Sequence, residues 1–314
     1  MTEKEVFKAI CNQSPESLPV FMQCWWLDAV CDSWDVAMTF KGDQVTGVWP
    51  YAIEEKLSVA FRRNPRLTPY MGPWVFYPPD IKEVNKDSHE HDVIEQLFSQ
   101  LPEGDVWHLS QYPGLKQAGL FRHYGLNIQV QQTFLIALDK EEDELFAQFK
   151  EPLRRNIKAS DKEITITSEP ACLADLYEFQ KTTLFKKRVA QPYNFNELQK
   201  LLKPCLKYEA GELYVARQDG VIQAVVWNVW DATTSYYFMG AKNPAIDNYK
   251  AMSGLLWHAI KQAKRRGNKF FDLEGSMDPG VERFFRNFGG RRELYLILKK
   301  DRHWLWMLKR YLKK

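Results

Sequence analysis

No Cys-x-x-Cys pair occurs in the 314 residues: the five cysteines, Cys11, Cys24, Cys31, Cys172 and Cys205, are odd in number and scattered. This spacing excludes the common zinc modules and reads as reduced thiols of a cytoplasmic protein. The polar start MTEKEVFKAI lacks the apolar stretch of a signal peptide. No apolar run approaches the roughly 18 residues that a membrane span needs. Neither sign of charge dominates, since 43 Lys+Arg against 40 Asp+Glu leave +3. That balance excludes a DNA binder running on bulk charge, but not a local basic face. No Gly-x-Ser-x-Gly elbow marks a serine nucleophile. His89-Glu90-His91 sits in the polar run NKDSHEHD, which reads as a loop without a partner cluster, so no metal is expected.

What the chain has is ordinary globular composition, 45% hydrophobic and 26% charged, with 14% aromatics including 11 Trp. Its length favours two domains over one core. The sequence also echoes itself. Phe121-Arg122-His123-Tyr124-Gly125 precedes the strand-like TFLIAL, and Phe285-Arg286-Asn287-Phe288-Gly289 precedes ELYLIL 164 residues later. Trp107-His108-Leu109 and Phe271-Asp272-Leu273 keep the same offset, each after a helix that Gly104 or Gly267 would end. Earlier in each half, alternating residues flank a turn at Gly42-Asp43 or at Asp219-Gly220, the pattern of a β-hairpin. Both halves therefore run helices, hairpin, helix, strand, short helix, last strand. This predicts an α/β protein made of one module used twice.

The division is expected near Asp139, giving domains 1–139 and 140–300. Leu145, Phe149, Leu153 and Ile157 recur every four residues after the acidic DKEEDE, so a helix follows, broken or restarted at Pro152. The Pro/aromatic run PYMGPWVFYPP is either a groove-lining loop or an edge strand closing the first domain. Residues 301–314 form a third segment. Plotted as a helix, 302–314 gathers Trp304, Leu305, Met307, Leu308, Tyr311 and Leu312 on one face, with Arg and Lys opposite. Such a helix either lies on an anionic membrane face, making the protein peripheral to the inner leaflet, or packs on the domain.

The segments LRRNIKAS, ELYVARQDGVIQAVVW, SYYFMGA, YKAMSGLLWHAIKQAKRRG and FFDLEGSMDPGVERFFRNFGG, in this order and spacing, resemble the Fem-type (FemABX-like) transferases of the GNAT-like acyltransferase superfamily. The likeness is clear over 140–300 and weak before it. It implies an α/β fold of two tandem GNAT-like domains packed around a shared groove, with the substrate in the second. It also implies transfer of an aminoacyl group from a charged tRNA, or an acyl group from acyl-CoA, onto an amine, with a cell-wall precursor peptide as the family's commonest acceptor. No cofactor would be bound permanently.

The resemblance assigns residues as well. A family Lys linked to the donor falls at Phe285 here, so a cation would have to come from Arg286 or Arg283, unless both are surface residues. A guanidinium does not replace an ammonium in reach or shape. The Arg/Gln-x-x-Gly-x-Gly/Ala loop that holds the pyrophosphate of coenzyme A is missing from GAKNPAIDNYKAMSG, which leaves Lys242 and Lys250 as phosphate contacts or as surface groups. Arg188 matches the family's acceptor-binding Arg, with Lys187 and Tyr193 beside it, or else it lies on a solvated helix end. Tyr236 is chosen over Tyr237 as the strand Tyr that contacts substrate, since only one of them can face a groove. Asp272 is either a base for the amine or an acceptor of loop N–H groups, the latter being favoured. Two other functions stay open: a duplicated fold that only binds a peptide or lipid-linked precursor, and a CoA-dependent N-acyltransferase of a small amine.

Overall fold

The structure, a computed structural model, describes residues 2–275 and 277–302. They fall into two compact units, one of residues 2–131 with 294–302 and one of residues 132–293. The 303–314 part of the amphipathic C-terminal segment lies outside the described residues.

The first unit begins with α1 (Glu3–Gln13), started by a reciprocal capping box between Thr2 and Glu5, and α2 (Cys24–Val30). The hairpin β1 (Trp34–Lys41) and β2 (Gln44–Ala52) turns at Gly42, at φ +60°. Then come β3 (Glu54–Lys56), β4 (Val59–Arg63), β5 (Trp74–Val75), α3 (Glu83–Gln100), β6 (Val106–Ser110), α4 (Ala118–His123) and β7 (Asn127–Ala137). β5 pairs with β2 as a short edge strand, the closing role expected of the Pro/aromatic run. His89 and His91 lie in α3 rather than in a loop, bonded to the carbonyl of Phe76 and to Gln117. Cys11 and Cys24 form a disulfide, a correction to the reading of five reduced thiols. The end of α1 and the start of α2 bring their Cα atoms to 6.1 Å, a proximity their spacing does not advertise.

The second unit contains α5 (Glu142–Ala147), α6 (Glu151–Glu163), β8 (Thr165–Ser168), α7 (Leu173–Lys186), α8 (Phe195–Lys207), β9 (Gly211–Gln218), β10 (Val221–Trp230), β11 (Thr234–Lys242), α9 (Tyr249–Arg265), β12 (Phe270–Asp272), α10 (Pro279–Phe285) and the start of β13 (Arg291–Asp301). The helix after Asp139 does restart, with Pro152 in the first turn of α6, where the missing N–H costs nothing. The hairpin of β9 and β10 turns at Asp219 and Gly220, both at positive φ. Strands run in the order β12-β11-β10-β9-β8, with β7 antiparallel beyond β12 and β11 parallel to it. α9 and α6 cover this sheet over a core that includes Leu153, Ile157, Val226, Leu256, Ile260 and Phe271.

The duplication is visible in both units, because the order of elements repeats. β6 and β12 begin 164 residues apart, β7 and β13 share that offset at both ends, and Gly125 and Gly289 both take positive φ, +76° and +73°. Two features depart from a simple tandem. First, last strands are exchanged: residues 135–137 of β7 pair with β12, and residues 297–301 of β13 pair with β6. Residues 132–139 therefore group with the second unit, and 294–300 with the first, unlike the expected 1–139 and 140–300. Second, the first unit splits its sheet. β1-β2-β5 stands apart, while β4 pairs in parallel with β6; in the second unit β11 alone fills both roles.

Candidate functional site

β11 and β12 run together for only three residue pairs, ending at Tyr236 and Asp272. Beyond Tyr236 the β12-side edge of β11 has no strand neighbour among the described residues. In open sheets, crevices at the C-terminal ends of parallel strands are where ligands bind. The register between β10 and β11 also slips here, because Trp227 pairs with Met239 but Asn228 with Tyr237, leaving Phe238 as the extra residue of a bulge. A bulge resets the alternation of faces. Tyr237, Gly240 and Lys242 consequently line one cavity of about 880 Å³.

All residues lining this cavity lie between Gln180 and Phe285, within the second unit. Its walls are mostly apolar, with Leu184 from α7, Met252 from α9, and Val281, Phe284 and Phe285 from α10. Phe285 meets the ring of Tyr237 edge to face at 5.6 Å. The phenol of Tyr237 lies over Gly240, where a Cβ would come within 2.0 Å of its oxygen. Only glycine leaves room for that ring. Burial pushes the Tyr237 hydroxyl above its ordinary range, with the neighbouring Glu274 adding to the effect. Tyr193 donates its hydroxyl to Gln180, whose amide lies 3.5 Å from the Gly240 carbonyl. Burial raises the Tyr193 hydroxyl to about 12.

Cations stand at the rim. Lys187 pairs with Asp278 at 2.6 Å, joining α7 to α10. Asp278 also caps α10 by accepting from the N–H groups of Gly280 and Val281. The Lys187 bond, first, and these N–H groups hold its carboxyl below the usual range. Lys242 is exposed and has no ion-pair partner among the described residues.

The expected residues divide sharply. Lys187, Tyr193, Lys242 and Phe285 line the cavity. Lys250 does not; it lines a neighbouring pocket of about 430 Å³ and pairs with Glu163 at 3.4 Å. Tyr236 does not line the cavity, its hydroxyl donating to Asp231 at 3.1 Å, whereas Tyr237 does. Arg188 is exposed at φ +57° and off the cavity wall. Arg283 in α10 and Arg286 just after it are exposed and do not line the cavity, whereas Phe285 is buried. Asp272 is buried, accepting from Thr133 and from the Glu274 N–H at 2.7 Å, which is its loop-bonding alternative. Burial lifts its carboxyl to about 7 despite those bonds. Sequence reasoning set Tyr237 aside in favour of its neighbour and missed Gly240, Gln180 and Asp278. Asp278-Pro279 was a readable helix start, but its pairing with Lys187 spans 91 residues and leaves no local trace.

A mixed sheet with a parallel strand pair in each unit, β4 with β6 and β11 with β12, is the arrangement of a tandem GNAT-like fold. Residues 147–286 match the model of an acetyltransferase (GNAT) domain. The chain is similar in structure to FemX, with a TM-score of 0.66 at 11% identity over 94% of this chain and 96% of that one. It is also similar to a C-terminal domain described as that of a lysylphosphatidylglycerol synthetase from Agrobacterium fabrum, with a TM-score of 0.59 at 12% identity over 95% and 93%. A tandem GNAT protein from the clavulanic acid biosynthesis pathway aligns with a TM-score of 0.55 at 8% identity over 95% and 93%. None of the curated protein sequences matches it. No helix among the described residues is long and apolar enough to cross a membrane.

Proposed function

We propose that the second unit is an N-acyltransferase, moving an acyl group from an activated ester or thioester onto an amine in the cavity at the fork of β11 and β12. The observation that carries this reading is the cavity itself, formed inside the segment that matches an acetyltransferase domain. The amine nitrogen attacks the acyl carbon, the C–N bond forms, and the bond to sulfur or oxygen breaks. Tyr237 stays protonated at neutral pH because burial disfavours its phenolate. It donates its proton to the departing thiolate or alkoxide and recovers one from the ammonium just formed, so the protons balance. Holding both reactants along the open edge of β11 supplies much of the remaining rate. Phe285 puts a ring where the Fem-type pattern has a cation, so charge on the reacting carbonyl oxygen falls to hydrogen-bond donors of that edge.

In this reading Lys187, Tyr193, Lys242 and Phe285 contact substrates, with Lys250 near the carrier, and Arg188, Arg286, Tyr236 and Asp272 do not. The donor is acyl-CoA or an aminoacyl-tRNA, and the acceptor is an amine, for which a cell-wall precursor is one candidate. Thermal-shift screening with acyl-CoA thioesters, charged tRNA and nucleotide-linked muropeptides, followed by mass spectrometry for an amide product, tests it. Product formation that falls at least about tenfold in Tyr237→Phe, with donor affinity retained, is expected. Stabilisation by acceptors without any amide product would instead make the protein a binder.

A further inference from the structure

We propose, resting on the reading of this cavity as an acyl-transfer site, that the group it accepts is an uncharged apolar acyl chain and not an aminoacyl group. The volume, about 880 Å³, is near the upper end of the roughly 300–1,000 Å³ typical of small-molecule sites and far exceeds an acetyl group. Leu184, Met252, Val281, Phe284 and Phe285 give it an apolar lining. The aromatic part of that lining is preformed, since Phe284 packs edge to face on Phe288 at 5.4 Å, and Phe285 on Tyr237.

Charge decides between the two classes of acyl group. An aminoacyl group carries an ammonium and needs a carboxylate partner when taken out of water. Among the described lining residues Asp278 is the single carboxylate, and it already serves Lys187 and two backbone N–H groups. Glu274, near Tyr237, is half-buried, does not line the cavity, and has one buried carboxyl oxygen without a hydrogen-bond partner; desolvation, first, and the neighbouring Asp272 push its carboxyl well above the usual range. An ammonium entering here would meet no lining carboxylate beyond one already paired with Lys187, whereas a hydrocarbon chain meets matching walls. Lys242, which lines the cavity and has no counter-ion among the described residues, suits a donor whose carrier is anionic. A thioester with a chain of about eight to twelve carbons fits this combination of apolar depth and cationic mouth.

Calorimetric titration of the full chain with lauroyl-CoA, lauroyl-pantetheine and acetyl-CoA tests the proposal. Lauroyl-CoA is expected to bind at least about a hundredfold more tightly than acetyl-CoA, each buried methylene adding its share. Val281→Trp, which fills the cavity, should abolish that preference; Leu184→Trp is the second variant should the first not fold, with circular dichroism reporting folding. Lauroyl-pantetheine binding as tightly as lauroyl-CoA assigns the chain to a carrier-protein donor, and weaker binding assigns it to coenzyme A. Equal affinity for lauroyl-CoA and acetyl-CoA, or a preference untouched by both tryptophans, overturns the proposal. A lauroyl preference without amide product from any amine retires the transferase reading alone. Amide formation with acetyl or aminoacyl donors and no chain preference retires the apolar chain alone.

Discussion

Gly240 in the cavity wall and the buried Asp272 outside it each carry a consequence at the scale of single residues. Gly240 is required by the ring lying over it, so Gly240→Ala forces the Tyr237 phenol aside. Overpacking of this kind costs about 1–3 kcal/mol, and an ångström of misplacement can cost about a hundredfold in rate. The variant should therefore melt lower and transfer poorly, and adding Tyr237→Ala should recover the melting midpoint without the activity. Asp272 makes a prediction about pH. Its folded carboxyl titrates near 7, above the ordinary value of 3.8, so the folded state binds more protons between those limits. Stability conferred through this group is present below about pH 4 and lost as pH rises towards 7. Urea midpoints across that window should decline in the wild type and decline less in Asp272→Asn, whose side-chain oxygen still accepts from Thr133 and from the Glu274 N–H.

The exchanged last strands decide what a mutation in either copy affects at the scale of elements. β13 belongs by sequence to the second copy, yet Leu298 is fully buried with Trp49, Ile94, Leu97 and Phe121 of the first unit. Leu298→Ala should cost about 2–5 kcal/mol. Hydrogen exchange should show the loss in β6 and α3, with β9 and β10 little changed; the reverse pattern would contradict the exchange. The elements themselves were largely legible in sequence. Turn residues at Gly42-Asp43 and Asp219-Gly220, the stop at Gly267 and the proline restart at Pro152 are local signals, and each produced the element expected. Gly104 did not end a helix, since α3 stops at Gln100.

Apolar clusters inside each unit carry the stability of the whole molecule, and the ion pairs include surface ones such as Lys187–Asp278 and Arg63–Glu54. Exposed pairs contribute roughly 0–1 kcal/mol each and are screened by salt. Raising salt from about 0.05 to 0.5 M should therefore shift the unfolding free energy by less than about 1 kcal/mol, measured by urea denaturation. A large loss would show that the surface charges matter more than the cores.

The sequence by itself determined the α/β class, the doubling at an offset of 164 residues and the order of elements, because periodicity, caps and turns act between near neighbours in the chain. Tertiary structure alone decided which unit each last strand completes, and that Tyr237 rather than Tyr236 faces the cavity. It also decided that Arg286 stays outside, that Asp278 answers Lys187, and that a carboxyl at 272 holds its proton towards neutrality. Each of these depends on strand pairing, a one-residue bulge, or burial among segments distant in the chain, and no local pattern encodes such contacts.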